Sequence, residues 1–367
     1  MHADNLKNLK DGAKNLVTAY ACVREGENVC VYADTGCDPL VVEAVAAAAR
    51  EAGGEVVITI SDEVSDPEES GLIDPPKVVR HAFYAADIIL SVVSIFKMQF
   101  STPAAAKAVR KYGARLAYIG PNTAAELASS WSRFPAELAF AMAQRIRSDL
   151  QAGSDEVLLS DENGTRLKIS VEPENWSGAG VRGPLNQPGR HAVLPACTVG
   201  TNRIGRANGK VVLDFLEMFG PSDQACEWTV KDNRVVAIEG GAQAEAFREK
   251  IFNTKNANRF SQVSWGINPK IDIDRLLRSA WDKNKLAKLT RAAGVIHLGL
   301  GSTLFHLKGE KKGASPIHTH GMLLKPTLTA GPKTVIENGR LAVSDDPQIR
   351  EIAEKYGDPD ELLGSFT

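Results

Sequence analysis

The sequence lacks the features that mark membrane proteins and nucleic-acid-binding proteins. No run approaches the roughly 18 consecutive apolar residues that a membrane-spanning helix needs, and the opening residues MHADNLKNLKDGAKNL have no apolar core like that of a signal peptide. The 43 lysine and arginine residues are balanced by 45 aspartate and glutamate residues and form no basic stripe. We therefore expect a cytoplasmic protein that has neither a membrane nor a nucleic acid as its partner.

Cysteine is also scarce, and two familiar active-site signatures are missing. The five cysteines are odd in number and include no CxxC pair, so disulfides are not expected in a reducing compartment. The turn after the first predicted strand reads DTGCDP and lacks the GxGxxG fingerprint of dinucleotide sites. No GxSxG nucleophile elbow occurs. Two weaker nucleophile candidates stay open, namely Ser302 after a glycine and Cys197 near His191, although a buried thiol is the commoner interpretation of Cys197.

The hydrophobic pattern predicts two parts of different architecture. In the first part, short apolar runs alternate with helical segments, which is typical of parallel strands joined by crossovers. The runs predicted as strands there are Glu27–Ala33, Glu55–Ile60, Asp87–Ser94 and Arg115–Ile119. After a predicted helix, Glu137–Leu150, short strands between turn signals take over, among them Lys210–Phe215 and Met322–Leu328. We predict an α/β protein, with an N-terminal Rossmann-like layered domain over residues 1–150 and an α+β C-terminal domain, rich in antiparallel strands, over residues 151–367.

Histidine is rare but concentrated, since four of the seven histidines lie between positions 297 and 320. His318 and His320 are two residues apart, so on a strand both imidazoles would point to the same face. Two imidazoles on one face suit a divalent metal ion, because both ring nitrogens can reach it. His297 lies in the apolar run GVIHLGLGS, where it is either a ligand or a core residue, and His306 completes the group. The spacing predicts a metal site in the C-terminal domain.

Three segments, taken in order, resemble the thermophilic aminopeptidase family and its oxygenase relative, 2,5-dihydroxypyridine 5,6-dioxygenase. They are SQVSWGINP, GVIHLGLGS and SPIHTHGMLLKPT. The likeness extends over most of the chain, and the first half matches more loosely. The resemblance implies a related fold and a metal-dependent activity. It also implies a homo-oligomer, because the relatives form them.

The aminopeptidases hold two metal ions with two glutamates, two histidines, a tyrosine and an aspartate. On the matched segments only His297 and His318 correspond to that set unchanged. The other ligand positions hold residues of other types: Thr198 or its neighbour, Gln262, His320 and, in the tyrosine region, Phe305 and His306. Because all three carboxylates are replaced, the negative charge that keeps two cations close together is missing. A two-metal peptidase is therefore not favoured.

The dioxygenase relative holds one Fe(II) ion with two histidines and one aspartate. His318 matches one of those histidines, the other falls on Gln262, and the aspartate falls on His320. Two imidazoles with a neutral amide, or three imidazoles, suit Fe(II) or Mn(II) and leave positions open for substrate and O2. The resemblance thus implies His318, His320 and Gln262 as the metal ligands, with His297 as the alternative third ligand. Fe(II) is the leading metal, and Mn(II) and Zn(II) are alternatives.

The leading hypothesis is a mononuclear non-heme metal dioxygenase that cleaves the ring of a small hydroxylated aromatic or N-heteroaromatic compound. Its partners would be that substrate and O2. The candidate catalytic residues are His297, His191 and Trp265. The flat ring of Trp265 could pack on an aromatic substrate, although a core position is the commoner interpretation of such a residue. Two alternatives remain: a metal-dependent hydrolase like the aminopeptidases, and a non-catalytic binding protein that kept the fold and lost the metal.

Overall fold

A computed structural model describes residues 3–63, 74–94, 97, 102–178, 182–278, 283–302 and 315–364. The chain forms two compact units, one of Met1–Phe140 with Gly183–Ala196 and the other of Ala141–Arg182 with Cys197–Thr367. The first unit therefore includes a later segment of the chain, Gly183–Ala196. The single boundary at residue 150 that the sequence predicts does not describe this division. None of the described helices is long and apolar enough to cross a membrane.

Strands and helices alternate in the first unit, and strands dominate the second. The strands are β1 (Asn28–Asp34), β2 (Glu55–Ser61), β3 (Ile88–Ser91), β4 (Arg115–Ile119), β5 (Glu156–Ser160), β6 (Arg166–Ser170), β7 (His191–Leu194), β8 (Thr198–Thr201), β9 (Arg206–Leu216), β10 (Gly220–Lys231), β11 (Arg234–Glu239), β12 (Phe260–Gly266), β13 (Ile296–Gly301), β14 (His318–Leu323), β15 (Thr327–Ala330), β16 (Lys333–Glu337) and β17 (Arg340–Leu341). The helices are α1 (Ala3–Lys14), α2 (Pro39–Glu51), α3 (Lys77–Ala85), α4 (Pro103–Tyr112), α5 (Ala124–Leu127), α6 (Ala136–Gly153), α7 (Ala242–Asn253), α8 (Ile273–Arg278), α9 (Lys283–Leu289), α10 (Pro347–Glu354) and α11 (Pro359–Leu363).

The first unit contains a five-stranded parallel sheet in the order β2-β1-β3-β4-β7. Every residue of β3 and β4 is buried, as expected when both faces of a parallel sheet are covered. The predicted Rossmann-like layered arrangement is thus confirmed. Strand β7 was not predicted, because four residues carry too little periodicity to mark a strand. It extends the sheet by pairing with β4.

The second unit is built on a twelve-stranded, largely antiparallel sheet whose main order is β17-β16-β15-β5-β6-β9-β14-β13-β12-β8. The predicted α+β character, rich in antiparallel strands, is confirmed. One predicted strand is wrong in its limits, because Met322–Leu328 is divided between β14 and β15. The break contains Pro326, which has no N–H group to donate within a sheet. Strand β14 instead begins at His318, so His318 and His320 both lie on it.

A buried arginine ties the first unit together. Arg115 at the start of β4 is only 3% exposed, and its Nη1 atom donates to the carbonyl oxygens of Ala21, Cys22 and Leu185 at 2.7 Å, 3.0 Å and 2.8 Å. Its Nη2 atom lies 2.5 Å from Oε2 of Glu27. One planar guanidinium thereby joins the sheet to the N-terminal segment and to the later segment that contains β7.

We expect Arg115→Met to lower the free energy of unfolding by about 3 to 5 kcal/mol, because it leaves a carboxylate and three carbonyl groups without their buried cationic partner. Urea denaturation followed by circular dichroism measures the change. The matched control is Arg80→Met on α3, whose pair with Asp74 is partly exposed, with a side-chain exposure of 38% for the arginine. That control should lose at most about 1 kcal/mol. Equal losses in the two variants would contradict the role given to Arg115.

Candidate functional site

His297, His318 and His320 form a histidine cluster in the second unit, and the pairing of the strands that carry them brings them together. Strand β13 pairs with β12 so that Gln262 lies opposite Gly299, and with β14 so that Gly299 lies opposite His320. On the far side of β14, the backbone N–H of Glu217, which follows β9, donates to the carbonyl oxygen of His320 at 3.0 Å. The result is a row of Gln262, Gly299, His320 and Glu217 across four neighbouring strands.

A second row and the two-residue period of a strand bring further histidines to the same face. Ser264 lies opposite His297 on β13, and His318 lies opposite Gly301. Residues two apart share a face, so Gln262 and Ser264, His297 and Gly299, and His318 and His320 all project from one side of the sheet. The prediction that His318 and His320 lie on a strand and face the same way is confirmed.

The imidazole of His320 is in contact with those of His297 and His318. The ring centroids of His318 and His320 are 4.5 Å apart with an interplanar angle of 87°. Those of His297 and His320 are 5.3 Å apart with an angle of 82°. His320 therefore occupies the middle of the cluster and touches both other rings edge to face.

Gly299 leaves the room that this face needs. A Cβ atom at this position would lie 2.8 Å from Cβ of Gln262 and 3.1 Å from Cε1 of His318, with Oε1 of Gln262 at 3.4 Å. The amide oxygen of Gln262 and the ring edge of His318 therefore both lie over the bare Cα of the glycine. Because Gly299 has no side chain, nothing at this position separates the amide oxygen of Gln262 from the ring of His318.

Ser264 orients Gln262 and His297 at the same time. Its Oγ atom accepts a hydrogen bond from Nε2 of Gln262 at 2.7 Å and lies 2.5 Å from Nε2 of His297. Since the amide nitrogen is held by the serine, the amide oxygen of Gln262 is the atom left toward Gly299 and His318. The same hydroxyl therefore contacts both the amide of Gln262 and the imidazole of His297.

Glu217 holds the central histidine. Its Oε2 atom lies 2.6 Å from Nδ1 of His320, and the side chains of these residues are 20% and 11% exposed. Among the described residues, no other carboxylate forms a hydrogen bond with His297, His318 or His320. The cluster is therefore attached to a single negative charge.

Burial keeps two of the imidazoles neutral. The loss of water around His297 holds its pKa well below the usual value, and charge on the neighbouring His320 would lower it further. Burial likewise holds the pKa of His318 well below its usual value, again with a contribution from His320, while the backbone of Ser302 and Leu300 opposes the shift in part. Neutral imidazoles are the form that binds metal ions.

A buried cation adds to the field around His297. Arg291 is 8% exposed, and burial lowers the pKa of its guanidinium to about 10. Its Nη1 atom donates to the carbonyl oxygen of Ala287 and to Oγ1 of Thr290, the latter at 3.2 Å. The positive charge of Arg291 contributes to the lowered pKa of His297.

The ring nitrogens have the pattern expected of ligand atoms. Nδ1 of His297, Nδ1 of His318 and Nε2 of His320 are buried and have no hydrogen-bond partner within the part of the chain that the structure describes. An unpaired buried polar atom is costly, and a bound cation would remove that cost. Over the same described ranges, no three side chains of the His, Cys, Asp and Glu types form a ready metal cluster. The three residues predicted as ligands, His318, His320 and Gln262, therefore lie on the same face of the sheet, and His297 lies beside them in contact with Ser264.

The structure places other predicted residues elsewhere. Trp265 is fully buried on the opposite face of β12, where it packs edge to face on Trp176 with ring centroids 5.7 Å apart, so the arrangement makes it a core residue. His191 lies on β7 in the sheet of the first unit, opposite Leu116, and its catalytic role stays a prediction. Cys197 is fully buried in the second unit, as expected of a structural thiol. His306, like Phe305, lies outside the described residues.

Two residues of the site have no place among the sequence-based candidates. Ser264 could have been found, because a strand through Gln262 places residue 264 on the same face. Glu217 could not, because it meets His320 only through the pairing of β9 with β14. These strands are about one hundred residues apart in the sequence, and no local pattern fixes their register.

We predict that Gly299→Ala weakens metal binding without unfolding the protein. The new methyl group must displace Gln262 or His318 by several tenths of an ångström, and overpacking of this kind costs about 1 to 3 kcal/mol. Metal content after equilibration with Fe(II) and removal of excess ion, measured together with the melting temperature, checks this. The control is Gly205→Ala, where the nearest atom to the added Cβ lies at 3.3 Å. Metal retention equal to that of the control would count against the arrangement.

The fold and the sequence both have known relatives. The structure of 2,5-dihydroxypyridine dioxygenase from Pseudomonas putida KT2440 is similar, with a TM-score of 0.66 and 18% identity over 94% of this chain and 99% of that one. Wild-type AmpT from Thermus thermophilus is also similar, with a TM-score of 0.62 and 13% identity over 92% and 99%. No curated protein sequence matches the chain. A family model described as NicX, 2,5-dihydroxypyridine 5,6-dioxygenase, matches residues 15–343, and the chain therefore belongs to this family of ring-cleaving dioxygenase enzymes.

Proposed function

We propose that the protein binds one Fe(II) ion and uses O2 to cleave the ring of a small hydroxylated aromatic or N-heteroaromatic compound. The observation that supports this most directly is a pair of buried imidazole nitrogens, Nδ1 of His318 and Nε2 of His320, that lie on one face of the sheet and have no hydrogen-bond partner among the described residues. Membership of the NicX family supports the class of reaction. Mn(II) and Zn(II) are the alternative ions, and the oligomeric state stays a prediction that rests on the resemblance alone.

His318, His320 and Gln262 would hold the ion. Two imidazoles and an amide oxygen are donors that Fe(II) accepts, and three protein ligands leave positions for other groups. When bound, the ion would supply a centre at which the substrate hydroxyl and O2 meet, so that the reaction needs no separate encounter. The donors of this chain are all neutral, in contrast to the usual pair of histidines with one carboxylate.

His297 and Ser264 would position the substrate. We infer that Nε2 of His297 accepts from Ser264, whose Oγ atom lies 2.5 Å away, so that the Nδ1–H group would be a buried donor for a substrate oxygen. Burial holds His297 neutral, so the residue donates a hydrogen bond at Nδ1 and does not place a positive charge beside the ion. His297 and His320 are both buried, so a group bound against them would be shielded from water.

The proposal predicts stoichiometric iron and coupled oxygen uptake. Protein purified without oxygen and loaded with Fe(II) should contain one ion per chain by plasma mass spectrometry. It should also consume one O2 for each molecule of the probe 2,5-dihydroxypyridine that loses its ring absorbance. His318→Ala and His320→Ala should each lose metal and oxygen uptake while the far-ultraviolet circular dichroism stays unchanged, because each variant keeps only one of the two proposed imidazole ligands.

The matched control is His81→Ala, which removes a histidine of α3 in the first unit and should keep both metal and uptake. Trace metal in wild-type protein, even after loading with Fe(II) or Mn(II), would refute the proposal. Intact metal in His318→Ala would refute the assignment of ligands. Cleavage of aminoacyl anilides with added Co(II) or Zn(II), without oxygen uptake, would favour the hydrolase alternative. Binding of the dihydroxypyridine by metal-free protein without turnover would favour a non-catalytic relative.

A further inference from the structure

Glu217 is bonded to the central histidine of the cluster by both its backbone and its side chain. Its N–H group donates to the carbonyl oxygen of His320 at 3.0 Å, and its Oε2 atom lies 2.6 Å from Nδ1 of the same residue. The backbone hydrogen bond fixes the position of Glu217 relative to His320 on the neighbouring strand. The side-chain hydrogen bond fixes the orientation of the imidazole ring. His320 therefore has little freedom to turn.

The contact also decides which ring nitrogen of His320 is free. A carboxylate can only accept hydrogen bonds, so the proton of the ring lies on Nδ1 and the lone pair of a neutral ring lies on Nε2. Nε2 is buried and has no partner among the described residues. The contact with Glu217 thus leaves a buried lone pair on Nε2 of His320.

We propose that Glu217 is the positioning residue of the metal site and supplies its negative charge, an inference that rests on the function proposed above. The site otherwise consists of the neutral groups of Gln262, His318 and His320, so a divalent cation there would lack a nearby anion. A carboxylate that accepts from the far nitrogen of a ligating histidine orients the ring and makes it a stronger donor. In this chain the carboxylate is that of Glu217, directly after the neighbouring strand β9. It would act on the ion through the imidazole of His320 and not by direct contact.

The experiment measures metal affinity in matched variants, with Co(II) as the spectroscopic probe and Fe(II) in anaerobic chelator competition. Glu217→Gln keeps the size of the side chain and removes its charge, and we expect it to weaken binding about 10- to 100-fold. Glu217→Asp keeps the charge and should recover part of the affinity. The control Asp214→Asn changes an acid of the same strand that accepts from the N–H group of Leu324, and its affinity should equal that of the wild type.

A double variant separates an effect through His320 from a general effect of charge or stability. In a His320→Asp background the new carboxylate can bind the ion itself, so adding Glu217→Gln should no longer weaken binding. The visible band of bound Co(II) should shift in Glu217→Gln and should not shift in Asp214→Asn. Melting temperatures and circular dichroism show whether each variant is folded, and Glu217→Asp provides the test if Glu217→Gln is not.

Equal Co(II) and Fe(II) affinity in wild type and Glu217→Gln would overturn the inference while leaving the proposed function intact. The same tenfold or larger loss in the His320→Asp background would also overturn it, because Glu217 would then not act through His320. Absence of metal binding by the wild-type protein would instead refute the proposed function, and the inference with it.

Discussion

The pairing of β13 with β12 on one side and with β14 on the other is the constraint on which the site depends. It places Gln262, Gly299 and His320 in one row and, through the end of β9, adds Glu217 to that row. A shift of one residue in either pairing would send one set of side chains to the opposite face. Gly299 at the centre of the row is part of the same constraint, since any side chain there would separate Gln262 from His318.

The charge distribution follows from that register. The donors that would contact a cation are neutral, and the pKa values of His297 and His318 are held low by burial. The negative charge stands behind His320, on Glu217, rather than among the donors. A carboxylate in direct contact neutralises a cation more strongly than one that acts through an imidazole. We therefore expect a site that binds a divalent ion less tightly than a triad with its own carboxylate, and that depends more heavily on the orientation of one histidine ring.

The sequence predicts those parts of the site that local spacing determines. The separation of His318 and His320 fixes their common face once they lie on a strand, and the alternating pattern of the first half identifies the parallel sheet. The same period places Trp265 on the face of β12 that lies away from Gln262, but its packing on Trp176 is a long-range contact that the spacing does not predict. Glu217 and the contribution of β7 to the first sheet depend on pairing between segments far apart in the chain, which no local pattern encodes.

The most direct measurement is a crystal structure of the protein loaded with Fe(II) without oxygen, with anomalous diffraction recorded on both sides of the iron absorption edge. The account predicts a single iron peak within bonding distance of His318, of Nε2 of His320 and of the amide oxygen of Gln262, with Glu217 still bonded to Nδ1 of His320. An iron peak at another place, a pair of neighbouring peaks, or a peak that His320 does not contact would contradict it.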